Sequence, residues 1–382
     1  MEKKSVCVLQ YGHVYPPSAG TAIRTFSLAK MASKYFRTSV IACLSPREFQ
    51  FPTMDQEIDG VKIIQKKIDK STLMDLSKAF NFYYTRYHSH MEEIIRENAS
   101  DADLIQLEGV NLYSLATKLG KPIVLDMHNV DYELINFVTG WKRTVFGKYW
   151  LRKGKRYEIN CLRNAKQIIV ASERDKNVYL SNEKTLKEKI TVIPNCIDTD
   201  YYEHVTTDKP IVSTGKPVIL FIGSLNYLPN RIAVQDIIRM ASKMQDYSFV
   251  IVGAHSAIIK NNPENIVFTG FVKDIRPYIS AADICIAPLR FGSGTRIKIL
   301  EYMALKKPVI STSKGVEGLE IDKECLVVED DYQKFTEIIK DLLTDEKKRK
   351  TLAQHAYNEV KRKYDWRNYI DRLRTVYESA MS

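Results

Sequence analysis

Twelve short runs, each apolar on both faces and rich in Val and Ile, are spaced along the 382 residues of the chain. A strand with one wet face alternates apolar and polar residues, whereas a strand covered by helices on both faces does not. The runs at 5–9, 38–44, 61–65, 104–107, 123–126 and 167–170 therefore predict strands of one buried parallel sheet. Those at 218–222, 248–252, 266–269, 284–287, 309–311 and 326–328 predict a second. Helical patterns fill the intervals, and this βα alternation predicts an α/β protein with two open, doubly wound sheets. The length allows each domain its own core. The break falls where VIPNCIDTDYY gives way to the polar VTTDKPIVSTGKP. The expected boundaries are 1–196, 197–362 and a tail, 363–382, in which Trp366, Tyr369, Ile370, Leu373 and Tyr377 lie at helical spacing. Ligands of such sheets bind beyond the carboxyl ends of the strands, so the loops that follow strands, facing a cleft between the domains, are where chemistry is expected.

Composition narrows the function classes. With 45% hydrophobic and 27% charged residues the chain is not a disordered tail protein. Six scattered cysteines without a CxxC pair disfavour a disulfide scaffold or zinc ribbon and fit a reducing compartment. No apolar run approaches the roughly 20 residues of a membrane span. The opening MEKKSVCVLQYG turns straight into a strand-like run with no cleavage pattern, so a cytoplasmic protein is expected. The net charge is +11, and it is unevenly placed. From Trp141 to Lys166 there are nine Lys and Arg and one acid, Glu158, interleaved with Phe146, Tyr149, Trp150 and Tyr157. Such a stretch suits an anionic membrane surface or a polyanion. The alternative is a solvated helix face with a few core aromatics. No nucleic-acid recognition module is present, and nucleic acid is not an expected partner.

Four loops carry candidate chemistry. Tyr15-Pro-Pro-Ser-Ala-Gly-Thr21 follows the first strand, and Gly20 would let an anion approach a helix start. It lacks the GxGxxG spacing of a nicotinamide-dinucleotide fold. The segment PIVLDMHN ends a strand with Asp126, His128 and Asn129, where a histidine can bond a sugar hydroxyl or handle a proton. Phe221-Ile-Gly-Ser-Leu-Asn-Tyr-Leu-Pro-Asn-Arg231 opens the second sheet. There Gly223 leaves the backbone open, and Ser224, Asn230 and Arg231 can donate to a phosphate. Asn230 could equally serve as a helix N-cap. The fourth loop, PLRFGSGTRIKILE, is the most specific. Gly292, Ser293, Gly294 and Thr295 expose amides, the helix start adds partial positive charge, and Arg296 and Lys298 add full charges. Glu301 sits two turns in, where a carboxylate can accept two ribose hydroxyls; its alternative is a surface pair with Arg296 or Lys298.

These residues resemble the retaining GT-B glycosyltransferases of glycosyltransferase family four, the glycosyl transferases of group 1. The carriers, in order, are the Gly20 loop, LDMHNVDYE, VIPNCIDTDYY, FIGSLNYLPN, FTGFVKDI and AADICIAPLRFGSGTRIKILEYMALKKPVIST. The resemblance implies an acceptor-binding Rossmann-like first domain, a nucleotide-sugar-binding second domain and a C-terminal helix crossing back to the first. It also implies that Gly20 lies near the sugar or diphosphate, that His128 contacts the donor sugar, that Phe271 and Val272 lie beside the base, and that Glu301 holds the ribose. Members of the family often carry a glutamate where this chain has Ser293, and a cationic pair where it has Ser224 and Asn230. Arg296 would then compensate from the other loop.

The expected reaction is transfer of a sugar from a nucleoside diphosphate sugar to an acceptor hydroxyl with retention. The acceptor would be a glycan or lipid-linked molecule of cell-surface polysaccharide, lipopolysaccharide or glycolipid synthesis, at the inner face of the cytoplasmic membrane. Amides of the glycine turn, Arg296, Lys298 and Arg231 would stabilise the leaving diphosphate. No cofactor and no metal are expected. The two DxD-like strings, at 101–103 and 198–200, are not placed as a metal site in this fold. Alternatives are a sugar-nucleotide epimerase of the same fold and a non-catalytic binder of nucleotide sugars or polyanions. A phosphorylase would need a pyridoxal phosphate lysine, for which no site is evident.

Overall fold

A computed structural model describes residues 3–44, 48, 50–68, 89–133, 145–205, 215–254, 262–292 and 294–382. The chain divides into two units, Met1–Pro194 with Tyr369–Ser382, and Asn195–Asn368.

Unit one holds a sheet of β1 (Ser5–Tyr11), β2 (Arg37–Leu44), β3 (Met54–Ile58), β4 (Val61–Lys67), β5 (Leu104–Glu108), β6 (Ile123–Met127), β7 (Gln167–Val170) and β8 (Ile190–Val192). Their spatial order is β3-β4-β2-β1-β5-β6-β7-β8. Every neighbouring pair is parallel except the hairpin β3–β4. All six expected runs are strands. The two that were not expected are edge strands. In β3, MDQEI has no buried residue, so it carries no apolar run; β8 is three residues long. The order reverses between β1 and β5, and the carboxyl ends around that point carry Tyr11, Glu108 and Met127. The C-terminal helix Ile370–Met381 belongs to this unit. It buries Leu373, Val376, Tyr377 and Ala380, and the Tyr377 ring meets Phe36 edge-on at 5.5 Å.

Unit two holds β9 (Val218–Ile222), β10 (Ser248–Val252), β11 (Ile266–Gly270), β12 (Ile284–Ala287), β13 (Val309–Ser311) and β14 (Val327–Val328). The order is β11-β10-β9-β12-β13-β14, parallel throughout. Its reversal lies between β9 and β12, and the loops that leave these two strands are the Gly223 loop and the glycine turn before Arg296. The most specific of the candidate loops and the Gly223 loop thus emerge side by side at one switch point.

Candidate active-site residues

In unit one a buried ion cluster closes the ends of β5 and β6. Arg24, on the helix Gly20–Ala32, is 1% exposed and forks onto Asp126, Nε to Oδ2 at 2.7 Å and Nη2 to Oδ1 at 2.6 Å. His128 Nε2 lies 2.5 Å from Glu108 Oε2 and 3.3 Å from Asp126 Oδ2. Glu108 also accepts from the Thr25 hydroxyl at 2.9 Å and from Gln106 Nε2 at 2.6 Å. Burial alone would raise the Asp126 pKa; the Arg24 guanidinium and His128 override it and hold the carboxyl below its ordinary value. Burial would likewise lower the His128 pKa, but Asp126 and Glu108 raise it to about 9. At neutral pH the imidazole is a cation, a hydrogen-bond donor and not a base. Among the described residues the partners of the ring all meet its Nε2 and none its Nδ1.

The segment after β6 is held from below. Glu158 is fully buried; it accepts from the Tyr132 amide at 3.0 Å and from the Tyr179 hydroxyl at 2.6 Å. Burial, reinforced by Asp131, pushes its pKa up to about 8. The one acid of the cationic stretch therefore anchors the His128 segment and does not balance the surface. The segment after β1 is held by Gln65 of β4, whose amide accepts from Val14 N and Tyr15 N and donates to Tyr15 O and Pro52 O. His13, beside it, stacks on Phe51 with ring centroids 3.7 Å apart.

In unit two the Gly223 backbone passes directly over Asn230. A Cβ at Gly223 would lie 2.6 Å from Asn230 Nδ2, so only glycine fits there without a shift. The Asn230 amide donates to Ser224 O at 3.0 Å and accepts from Lys298 Nζ at 2.9 Å. Asn230 is not the helix cap. The helix is Leu228–Ser242, capped at Tyr227, with Pro229 in its first turn. Lys298 Nζ also stands 4.2 Å from the centre of the Phe221 ring. At the glycine turn, Gly292 has φ +127°, and a Cβ there would meet Arg296 Nη2 at 2.7 Å. The guanidinium folds back under the turn and donates to Gly294 O. Arg296 is the N-cap of the helix Ile297–Ala304. Thr295 turns its hydroxyl to Asn195, which donates to it at 2.5 Å. Glu301 is buried and pairs with neither expected cation; it accepts from Tyr202 O–H at 2.7 Å. Burial raises its pKa to about 6 against the pull of Tyr202 and Lys298.

Gly223, Ser224, Asn230, Gly292, Gly294, Thr295, Arg296, Lys298 and Glu301 are thus brought together around the β9–β12 reversal. Arg231 is exposed on the neighbouring helix face. Phe271 is 56% exposed and Val272 half-buried, just past the end of β11. Gly20 begins its helix, and the Asn129 carbonyl accepts from Tyr179. Ser293 lies outside the described residues, as does Trp141. Residues that local pattern did not single out are Arg24, Glu108, Gln106, Tyr202 and Asn195, and Tyr377 stands out only as one of the apolar residues of the tail helix. Each acts through a partner far away in sequence.

Comparison with known proteins bears on the family and the fold. Residues 20–201 match the family described as Glycosyltransferase Family 4, and residues 216–345 the family described as Glycosyl transferases group 1. Spore coat protein SA of Bacillus subtilis (strain 168) is 21% identical over 249 residues, 57% of this chain. The chain spans 66% of the length of that curated relative. Sucrose-phosphate synthase from Thermosynechococcus elongatus superposes with a TM-score of 0.73 at 15% identity, over 98% of each chain. HepE of Anabaena, solved in complex with UDP-glucose, gives 0.67 at 15% identity, over 98% of this chain and 99% of its own. Identities at this level speak for the fold alone.

Proposed function

The chain belongs to the GT-B glycosyltransferases of family 4 and group 1, and from that premise we propose that it transfers a sugar from a nucleoside diphosphate sugar to an acceptor hydroxyl with retention of anomeric configuration. The observation that carries this reading is the convergence at the β9–β12 reversal of Gly223, Lys298, Arg296 and a helix start, with buried Glu301 two turns further on. Amides and cations there suit a diphosphate, and the free side of Glu301 suits two ribose hydroxyls. As the glycosidic bond breaks, charge grows on the leaving phosphate, where these donors act. The acceptor oxygen bonds to the anomeric carbon on the face that the phosphate leaves, and its proton passes to a phosphate oxygen. That step needs no protein base, which agrees with a His128 that is already protonated and can only donate, to the donor sugar.

We read the reaction as metal-independent. Glu108, Asp126 and His128 do offer ligand atoms within 4.8 Å of one another. A dication there would have to displace the Arg24 fork from Asp126 and the proton from His128. The test is a thermal-shift screen of nucleoside diphosphates and their sugars, followed by transfer assays in excess chelator. A selective stabiliser and undiminished product with chelator are expected. Glu301→Gln should lose most of the nucleotide shift. In the parent protein the shift should shrink as pH falls through about 6, because the protonated carboxyl accepts poorly. Loss of activity on chelation with recovery in manganese overturns metal independence; stabilisation without transfer to any acceptor overturns catalysis.

The acceptor is proposed to be lipid-linked or a cell-surface glycan, met at the cytoplasmic membrane face. Support comes from the helix Val145–Asn164, where Lys148, Arg152 and Arg156 form one exposed stripe at intervals of four residues, with Tyr149, 57% exposed, beside it. Among the described residues no helix is long and apolar enough to cross a membrane. Cosedimentation with anionic vesicles that is lost at high salt is expected; equal binding to neutral vesicles would refute electrostatic docking.

A further inference from the structure

We propose that Tyr377, on the C-terminal helix, is a positioning residue for His128, acting through Gln106 and Glu108. The proposal rests on the reading above only in giving His128 a part in transfer; the relay itself stands on geometry. Gln106 and Glu108 are two apart on β5, so their side chains share one face of the sheet. The C-terminal helix contributes Tyr377 to that face. Its hydroxyl, fully buried, donates to Gln106 Oε1 at 2.5 Å. Gln106, also fully buried, then has only one way to orient its amide, with Nε2 donating to Glu108 Oε1 at 2.6 Å. That leaves Glu108 Oε2 for Thr25, at 2.9 Å, and for His128 Nε2, at 2.5 Å.

The orientation of one amide decides the sign of the field at Glu108. Three donors converge on the carboxylate, Gln106 on Oε1 and Thr25 and His128 on Oε2, so its orientation toward the imidazole is fixed from both sides. Without the Tyr377 hydroxyl, the Gln106 carbonyl oxygen is left buried without its donor, and the amide is no longer polarised or held at that end. Nε2 then donates to Glu108 Oε1 more weakly, and the carboxylate, less firmly fixed, holds His128 less firmly in turn. The other groups that bear on His128 are Asp126 at the end of β6, with Arg24 behind it, and Asp131 in the following loop. The hydrogen-bond partners of the Gln106 side chain are Tyr377 and Glu108, not these groups, so the relay can be altered while their bonds stay in place.

Tyr377→Phe removes one hydroxyl and keeps the ring against Phe36. The chain has seven histidines, so the His128 resonance is identified by its loss in His128→Asn, in protein labelled with ¹⁵N-histidine. In Tyr377→Phe the titration midpoint of His128 is expected to fall by about one pH unit. Gln106→Leu, which removes the donor to Glu108, is expected to do the same and serves if the first variant does not fold. At saturating donor, where Lys298 holds its proton, the alkaline limb of the transfer rate should move toward lower pH by the same amount, a change that a general loosening of the helix would not produce. An unmoved midpoint in a folded variant overturns the relay. A midpoint that moves while the alkaline limb of transfer stays put upholds the relay and removes His128 from the reaction.

Discussion

Arg24→Met is expected to lower the unfolding free energy by about 3 kcal/mol or more, the cost of leaving one half of a buried ion pair behind. Arg24 and Asp126 are 1% and 0% exposed, and both guanidinium–carboxylate bonds lie within 2.7 Å. Methionine fills much of the same volume, so the loss reports the stranded carboxylate and not a cavity. Lys30–Asp59 provides the contrast. It is just as close, at 2.8 Å, but both side chains are nearly half exposed. Lys30→Met should therefore cost less than about 1 kcal/mol. The pH dependence gives a second, signed test. In the parent protein the depressed Asp126 carboxyl contributes stability that is fully present above about pH 4, the value of a free aspartate, and is lost as pH falls toward its folded value. In Arg24→Met burial is opposed by His128 alone, so the carboxyl titrates higher. Acidification from pH 7 to about 4.5 should then relieve the variant more than the parent, narrowing the difference between them. Urea unfolding at the two pH values measures both effects. A loss no larger than that of Lys30→Met would show that the fork contributes little.

The division between what sequence pattern reveals and what it hides follows from distance along the chain. Most strands buried on both faces announce themselves as apolar runs, because burial on two sides admits a polar residue only where it is paired, as Gln106, Glu108 and Asp126 are. The exposed β3 has no such run; its signal is the Asp59-Gly60 turn, where both residues take positive φ, 52° and 78°, as a tight hairpin requires. Pro229 marks the helix start that Asn230 obscured, since proline suits the first turn and asparagine suits a cap. The glycine turn before Arg296 was legible for the same local reason. The ion cluster was not. Arg24 finds Asp126 across 102 positions, Thr25 finds Glu108 across 83, and Tyr377 finds Gln106 across 271. No window of the sequence contains both halves of any of these pairs. His128 could be named from its place at a strand end, but its charge could not, because that is set by Glu108 and Asp126 arriving from two strands. Glu301 was legible as a carboxylate two turns into a helix; its partner Tyr202, 99 positions earlier, was not.

Lys298→Met is expected to lower kcat/KM by about 10²-fold while leaving the thermal stability of the protein unchanged or raised. The two halves of this prediction have one cause. Burial pushes the Lys298 pKa down to about 7, Arg296 pushes the same way, and Glu301 opposes them. Without a ligand, the ammonium is held against the Phe221 ring and the Asn230 carbonyl oxygen in a place that would sooner have it neutral. Because the folded form binds this proton less well than the unfolded chain, lysine at this position costs stability at neutral pH, and the cost falls as pH rises through 7. A diphosphate reverses the balance by supplying the negative charge that the site lacks. The amino group then takes up a proton as the donor binds, and it is most effective when the leaving phosphate is most negative. Methionine retains the packing on Phe221 and removes the penalty and the catalysis together. Lys298→Arg separates charge from proton uptake. It keeps the cation at every pH, so its donor affinity should stay level from pH 7 to 9, whereas that of the parent declines. Kinetics and thermal melts across that range test both variants. Near-parental kcat/KM in Lys298→Met would take this side chain out of the diphosphate site.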